Sequence, residues 1–276
     1  MAIEIIPESI ELGVDPTTAL NATTLDHPSS LEQVRDYIEK LKDELASENP
    51  PSSQYLLVRR IPAGLFTTLV EKSELIKGVT GTFLHDEHEI LYKITASFHH
   101  GVIVSNFTYW FFDVLSKMGL HPINRDYWLG GAGQMTGRRS NKEPDNCFFP
   151  GRFPAAGEPI PWPSFVLEVG ISESLPQLRT DARWWYSNSD HQTQLMVLVS
   201  ANSNSRDADI EIWTPVITRG QSTHVLECTK SASLRNGVVS GDALELDFQT
   251  LMGRAPQSPQ ETDLQLTPHW IQFICG

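Results

Sequence analysis

The stretch Phe165-Val166-Leu167-Glu168-Val169-Gly170 decides the predicted fold of this 276-residue chain. Apolar side chains occupy four of its six positions, a pattern typical of a short strand that is buried on both faces. A carboxylate inside such a strand is costly unless it is paired, protonated or bound to a metal ion. Glu168 is therefore the first candidate functional residue, and its strand is the clearest element of a predicted sheet.

Segments that alternate between strand and helix surround this stretch. Upstream, the pattern predicts a hairpin over 78–84 and 90–95, a buried helix over 102–120 and a strand over 142–149. Downstream, the pattern predicts the following elements: a helix over 175–186, strands over 195–199 and 209–213, and an edge strand over 225–228. The predicted fold is therefore α/β, with a mixed central sheet flanked by helices.

The two ends of the chain differ in pattern from this α/β region. An amphipathic helix is predicted within 29–46, because apolar residues recur there at three- and four-residue spacing: Leu31, Val34, Ile38, Leu41 and Leu45. This helix either packs on the domain or joins two copies of the chain as a homodimer. The expected organisation is an N-terminal arm with this helix over 1–54, an α/β domain over 55–252 and a C-terminal tail over 253–276.

The composition is that of an ordinary globular protein, with 40% hydrophobic and 20% charged residues. No stretch has the apolar length of a membrane span, and the acidic start does not resemble a signal peptide, so we expect an intracellular protein of the cytoplasm or nucleus. Cys147, Cys228 and Cys275 lie far apart, which argues against a disulfide framework or a thiolate zinc site. The net charge of −13 argues against a dedicated, tight DNA binder, although bound metal ions and a local basic patch can offset it.

Asp145 is the predicted partner of Glu168. It follows Pro144 in the strand-like segment that precedes the Glu168 strand. If the two strands are neighbours, both carboxylates converge at one end of the sheet. Two carboxylates, completed by water and phosphate oxygens, suit Mg²⁺, which can activate water and stabilise the charge that develops on a phosphodiester under attack.

Three segments in this order resemble the PD-(D/E)XK nuclease superfamily, and especially its restriction-endonuclease-like domain families: KEPD at 142–145, LEVGISES at 167–174 and LRTDARWW at 178–185. The resemblance covers about residues 78–215. It implies a restriction-endonuclease-like fold, with Asp145 and Glu168 as metal ligands. It also implies hydrolysis of nucleic acid, DNA in preference to RNA, with Mg²⁺ or Mn²⁺ as cofactor.

One position departs from the superfamily pattern. The resemblance implies a lysine two residues after the glutamate, and Gly170 stands there. Lys142 is a candidate replacement, but its odd offset from Asp145 places it on the same face only if the strand bends at Pro144. Arg179 and Arg183, from the following helix, are the other candidates, although an arginine stays protonated and cannot act as a base.

Further residues are candidates for supporting roles. His100, near the start of the predicted helix, is either a third ligand or proton carrier, or a histidine bonded to backbone. Asp181 either orients a cation of the site or stabilises its own helix. The basic residues near the PD segment form a candidate nucleic-acid-binding set together with the two helix arginines: Arg138, Arg139, Arg152, Arg179 and Arg183. The acidic and histidine-rich turn 85–89 is interpreted as a solvated hairpin turn rather than a metal cluster.

Two functions of different classes fit these patterns. One is a metal-dependent nuclease that uses Asp145 and Glu168, with Lys142 assisting and His100 peripheral. The other is a catalytically degenerate nuclease-fold protein that acts as an interaction module. The sequence contains no Walker A loop, no GxSxG elbow and no HExxH motif, and nothing in it locates a Ser/His/Asp triad.

Overall fold

Helices and strands alternate along the chain in the computed structural model, which describes residues 22–45, 47, 53–94, 98–131, 133–137, 140–171, 175–202, 205–217 and 224–276. The helices are α1 Leu31–Leu45, α2 Ala63–Glu71, α3 Phe98–Lys117, α4 Leu175–Asn188, α5 Phe248–Met252 and α6 Pro268–Cys275. The strands of the first half are β1 Thr23–Asp26, β2 Tyr55–Arg59, β3 Val79–Leu84, β4 Glu89–Ile94, β5 Tyr127–Leu129, β6 Met135–Thr136, β7 Ser140–Lys142 and β8 Asn146–Pro150. Those of the second half are β9 Phe165–Ile171, β10 Leu195–Ala201, β11 Ala208–Ile217, β12 His224–Arg235, β13 Val238–Gly241, β14 Leu244–Leu246 and β15 Leu264–Leu266.

The strands are divided between two main sheets. The N-terminal sheet has the order β1-β2-β4-β3-β7-β6, and the C-terminal sheet has the order β13-β12-β11-β10-β9-β8-β5. Each sheet mixes one parallel pair, β1 with β2 and β9 with β10, with antiparallel pairs. The mixed α/β fold class is confirmed, with two sheets in place of the single central sheet that was expected.

The C-terminal sheet is covered by a helix on each face. This arrangement buries the apolar side chains of β9, which alternate between the two faces. Phe165, Leu167 and Val169 pack into a core with α3. Val166 packs on the opposite face with α4. Glu168, two residues further along β9, therefore points toward the α4 side of the sheet.

The α1 helix packs on the N-terminal sheet. Val34, Ile38 and Leu41 are almost fully buried, in one core with Leu56 and Val58 of β2. Ser30 caps the start of the helix, since its Oγ accepts a hydrogen bond from the Gln33 backbone N–H at 3.1 Å. Because the apolar face of α1 is covered by its own domain, this face is not available for the predicted helix-mediated homodimer.

The segment predicted as one strand over 142–149 is instead two strands in different sheets. The N-terminal sheet holds β7, which ends at Lys142, and the C-terminal sheet holds β8, which begins at Asn146. Residues 143–145 cross from one sheet to the other. Pro144 has no backbone N–H and cannot donate to a continuous ladder, which is the physical reason for the break.

The C-terminal tail predicted over 253–276 contributes to the core as well. The strand β15 pairs with β14, and Ile271, Ile274 and Cys275 of α6 are buried in the core that contains α3. The predicted edge strand over 225–228 is part of the longer β12, and β13 takes the edge position. None of the helices in the described part of the chain is long and apolar enough to cross a bilayer.

Candidate active site

A cluster of charged side chains occupies the seam between the two sheets. The N-terminal sheet contributes Lys93 from β4 and Lys142 from β7, and the C-terminal sheet contributes Glu168 from β9. Asp145 lies in the segment that crosses between the sheets. Asp181 of α4 and His100 of α3 complete the cluster, and the exposed fractions of all six side chains lie between 0 and 9%.

Lys93 occupies the position between the two predicted metal ligands. Its Nζ lies 2.7 Å from Asp145 Oδ2 and 3.1 Å from Glu168 Oε2, and donates to both carboxylates. The sequence prediction missed this residue, because β4 was interpreted as one strand of an ordinary hairpin. The signal was nevertheless present, since Lys93 interrupts an apolar strand in the same way as Glu168 does.

Asp145 is held in its ionised form by donors on several sides. The Val169 backbone N–H donates to Asp145 Oδ2 at 2.7 Å, and His100 Nε2 lies 3.2 Å from Oδ1. Burial alone raises the pKa of this carboxyl, but Lys93 and His100 outweigh burial and hold the pKa well below its usual range. His100, one of the peripheral candidates, is thus placed directly against Asp145.

Glu168 has a different electrostatic environment. Trp185 Nε1 donates to Glu168 Oε1 at 2.7 Å, and Lys142 Nζ lies 3.9 Å from the same oxygen. Burial raises the pKa of Glu168 and dominates over Lys142 and Lys93, which act to lower it. The two carboxyl groups, both bonded to one ammonium, therefore have pKa values displaced in opposite directions, which is a recurrent property of functional sites.

Lys142 reaches the cluster because the chain leaves β7 and crosses between the sheets at Pro144. Its predicted role required a bend at this proline. Its Nζ forms an ion pair with Asp181 Oδ1 at 2.9 Å. Burial lowers the pKa of Lys142, but Asp181 and Glu168 more than compensate and raise it above its ordinary value. Asp181 therefore orients a cation of the site, which was one of its two predicted roles.

The helix arginines lie elsewhere, contrary to the expectation that they reach inward. Arg179 Nε donates to Glu211 at 3.0 Å, and the Arg183 guanidinium lies 5.3 Å from the centre of the Trp213 ring. These contacts direct both side chains away from Glu168. Arg152 is exposed and forms an ion pair with Glu158. Arg138 and Arg139 lie outside the described residues.

The turn between β3 and β4 is a hairpin turn, as predicted. His85 Nε2 lies 3.1 Å from Asn141 Oδ1, and the ring of His88 stacks on Phe66. Among the residues that the structure describes, no group of three or more His, Cys, Asp or Glu side chains is arranged to hold a metal ion. This statement covers both the turn and the seam.

The seam nevertheless offers oxygen ligands of the kind that Mg²⁺ prefers. Mg²⁺ is commonly held by one or two carboxylates, with water and phosphate oxygens completing the coordination. Asp145 Oδ2 and Glu168 Oε2 are such a pair, but Lys93 Nζ lies between them. A metal ion bound to both oxygens would take the position of the Lys93 ammonium. The residues therefore fit Mg²⁺ only when Lys93 moves aside.

No protein-family model matches the chain, and no curated protein matches it. Among solved structures, it is similar to a crystal structure of a "putative nuclease belonging to DUF820" from Anabaena variabilis, with 13% sequence identity and a TM-score of 0.41. The match covers 71% of this chain and 91% of the other. The chemical roles proposed for this chain therefore depend on its own residues.

Proposed function

We propose that this protein is a metal-dependent nuclease that hydrolyses phosphodiester bonds, with DNA as its preferred substrate. The observation that carries the proposal is the convergence of Lys93 on Asp145 and Glu168 in the seam. A buried network of ions seldom stabilises a fold more than apolar packing of the same volume does. A buried cluster of charged groups with displaced pKa values is more typical of a catalytic site than of a stabilising interaction.

The residues divide into distinct roles. Asp145 and Glu168 would hold the metal ion, Mg²⁺ or Mn²⁺, which when bound supplies an activated water and neutralises charge on the phosphate. Lys93 provides the ammonium that is missing at Gly170, so that it donates to the attacking water or to a phosphate oxygen once it leaves the carboxylates. Lys142, fixed by Asp181, is a second cation beside Glu168. His100 positions Asp145.

Substrate access follows from where the cluster lies. The carboxylates of Asp145 and Glu168 are 0 and 1% exposed, so a phosphodiester cannot reach them in this conformation. Because the two lysines and Glu168 come from different sheets, a small separation of the sheets along the seam exposes all of them together. The same separation withdraws Lys93 from Glu168 and leaves room for the metal ion.

The burial of the cluster also favours a second candidate function. If the sheets do not separate, the six side chains form a structural ion network, and the protein is a catalytically degenerate nuclease fold that serves as an interaction module. The two functions differ in what they require of Asp145 and Glu168. A nuclease needs both carboxylates for metal binding and cleavage, whereas a module needs them only for stability.

One experiment separates the two functions. Purified protein is incubated with plasmid DNA, single-stranded DNA and RNA in Mg²⁺ or Mn²⁺, beside Asp145→Asn and Glu168→Gln. Exposed carboxylates provide matched controls, Asp36→Asn and Glu32→Gln. We expect cleavage by the wild type and the controls and its loss, by at least about 100-fold, in the two seam variants. Cleavage that survives in folded Asp145→Asn and Glu168→Gln would overturn the site, and absence of cleavage in the wild type would favour the module.

A further inference from the structure

Gln177 is a buried glutamine whose amide has no hydrogen-bond partner among the residues that the structure describes. It is the third residue of α4 and is 1% exposed. Neither Nε2 nor Oε1 has a hydrogen-bond partner within the described residues. Burying an amide without satisfying its donors and acceptor is destabilising, and native proteins do so rarely.

The unpaired amide belongs to the face of α4 that forms the site. Asp181 and Trp185 follow Gln177 at intervals of four residues, so the three side chains lie along one face of the helix. Asp181 Oδ1 is bound to Lys142, and Trp185 donates to Glu168. Asp181 Oδ2 likewise has no hydrogen-bond partner among the described residues. Unsatisfied polar atoms thus extend the charged cluster along this face toward the N-terminus of α4.

The chemistry of this position fits a phosphate group better than a cation. The N-terminal turn of a helix carries a partial positive charge and favours anions. A carboxamide adds a neutral donor for a phosphate oxygen and an acceptor for a water beside it. A cation would find the amide oxygen of Gln177 and Asp181 Oδ2, but it would oppose the charge at the end of the helix and the Lys142 ammonium that Asp181 already binds.

We infer that Gln177 is a substrate-binding residue, which donates from Nε2 to a non-bridging phosphate oxygen of the nucleic-acid backbone beside the scissile bond. This inference rests on the proposed function, because it assumes a nucleic acid in the seam. Asp181 Oδ2 and Gln177 Oε1 accept from water that hydrates the same phosphate. The amide therefore has no partner among the described residues of the free protein, because its partner arrives with the substrate.

The test uses substitutions that affect stability and binding in opposite directions. In Gln177→Met, a side chain of similar length removes the unsatisfied amide, so the Tm should rise by about 1–3 °C. Binding of a fluorescein-labelled single-stranded DNA, followed by fluorescence anisotropy with Ca²⁺ in place of Mg²⁺, should weaken by about 5- to 20-fold. Gln177→Glu should weaken binding further, because it places a negative charge against the phosphate. Gln192→Met, at an exposed position, is the matched control and should change neither quantity.

The possible outcomes distinguish this inference from the proposed function. A lower Tm in Gln177→Met would show that Gln177 has a structural role and would overturn the inference. So would a higher Tm with unchanged affinity for DNA and for RNA of the same sequence, while the wild type still cleaves. If the wild type neither binds nor cleaves any of these nucleic acids, the proposed function fails and the inference fails with it.

Discussion

Lys93 Nζ lies 2.7 Å from Asp145 Oδ2, although 52 residues separate the two in the sequence. The ammonium is also bonded to Glu168, so it holds together two carboxylates that would otherwise repel each other. Lys93 is therefore the internal counter-ion of the seam. This contact determines whether a metal ion can bind between the two carboxylates. It also determines how much the free energy of unfolding falls when Lys93 is replaced.

Lys93→Met should convert the seam into a stronger metal site. The substitution removes the ammonium that occupies the shared position and leaves the two carboxylates without the counter-ion that they share, a charge that oxygen-preferring divalent ions can neutralise. The affinity for Mn²⁺, measured by isothermal titration calorimetry, should increase at least about 10-fold relative to the wild type. Without metal the free energy of unfolding should fall by about 3–5 kcal/mol, and saturating Mn²⁺ should restore part of it.

Two controls accompany this variant. Lys77→Met, at an exposed position, should leave Mn²⁺ binding unchanged. Adding Asp145→Asn to Lys93→Met should abolish the gain in affinity, because one of the two carboxylates is lost. If Lys93→Met binds Mn²⁺ no more tightly than the wild type, Lys93 and the metal do not compete for one position.

The adjacent tryptophans Trp184 and Trp185 allow a matched pair of substitutions. Trp185 Nε1 donates to the Glu168 carboxylate at 2.7 Å, whereas Trp184 Nε1 donates to the Ser140 hydroxyl at 2.8 Å. Hydrogen bonds to a buried charged group contribute about 1.5–3 kcal/mol, and those between neutral groups about 1 kcal/mol. Trp185→Phe should therefore lower the free energy of unfolding, measured by urea denaturation, more than Trp184→Phe does. The reverse order would contradict the assignment of Glu168 as a buried carboxylate that depends on this indole.

The Lys142–Asp181 ion pair should show strong coupling in a double-mutant cycle. Both side chains are less than a tenth exposed and lie 2.9 Å apart, so each single substitution leaves a buried charge with a weakened partner set. Lys142→Met and Asp181→Leu should each cost about 3–5 kcal/mol of unfolding free energy. The double variant should cost less than their sum by about 1–3 kcal/mol. Urea denaturation of the four proteins measures the coupling, and additivity within about 0.5 kcal/mol would rule out a close pair.

Acid stability should depend on Glu261 in the C-terminal segment. Arg254 donates to both oxygens of its carboxylate at 2.8 and 2.9 Å, and the pKa of Glu261 is lowered to about 2. A folded-state pKa below the unfolded value means that ionised Glu261 stabilises the fold above about pH 4.5. That contribution is lost as the pH falls through about 2.

Glu261→Gln should accordingly lower the free energy of unfolding at pH 7 by about 1–2 kcal/mol. The difference from the wild type should shrink as the pH is lowered from 4.5 toward 2. Glu158→Gln, which breaks an exposed pair with Arg152, is the comparison and should have a smaller effect at pH 7. A difference that stays constant down to pH 2 would exclude an ionised Glu261 as its source.

The sequence predicts the elements whose pattern is local. The Glu168 strand, the β3–β4 hairpin and helices α1, α3 and α4 follow from apolar runs and spacing that tertiary contacts do not override. The division into two sheets is not local, because it depends on where residues 143–145 lead the chain. Pro144 indicates a break, but only the pairing of β7 with β3 and of β8 with β9 shows which sheet each half joins.

The acidic residues of the candidate site can be predicted from the sequence, and its basic residues only in part. Asp145 and Glu168 stand out because each is a carboxylate in or beside a strand-like run. Lys93 obeys the same rule, and extending the search for buried charges to bases would have found it. Gln177 has no comparable signal, since a polar residue in the first turn of a helix is ordinary until its burial is known. The α6 helix was missed because its pattern is short, although Thr267 and Pro268 are a typical helix start.

The division of the seam between two sheets also governs when the protein acquires its site during synthesis. Lys93 and Glu168 are 75 residues apart, and the indole that bonds Glu168 is another 17 residues further on. A nascent chain that has left the ribosome only as far as the N-terminal sheet carries Lys93 without either carboxylate. The site therefore forms only after the chain has been made through Trp185 and the two sheets have docked, so that a partly synthesised or truncated chain lacks it.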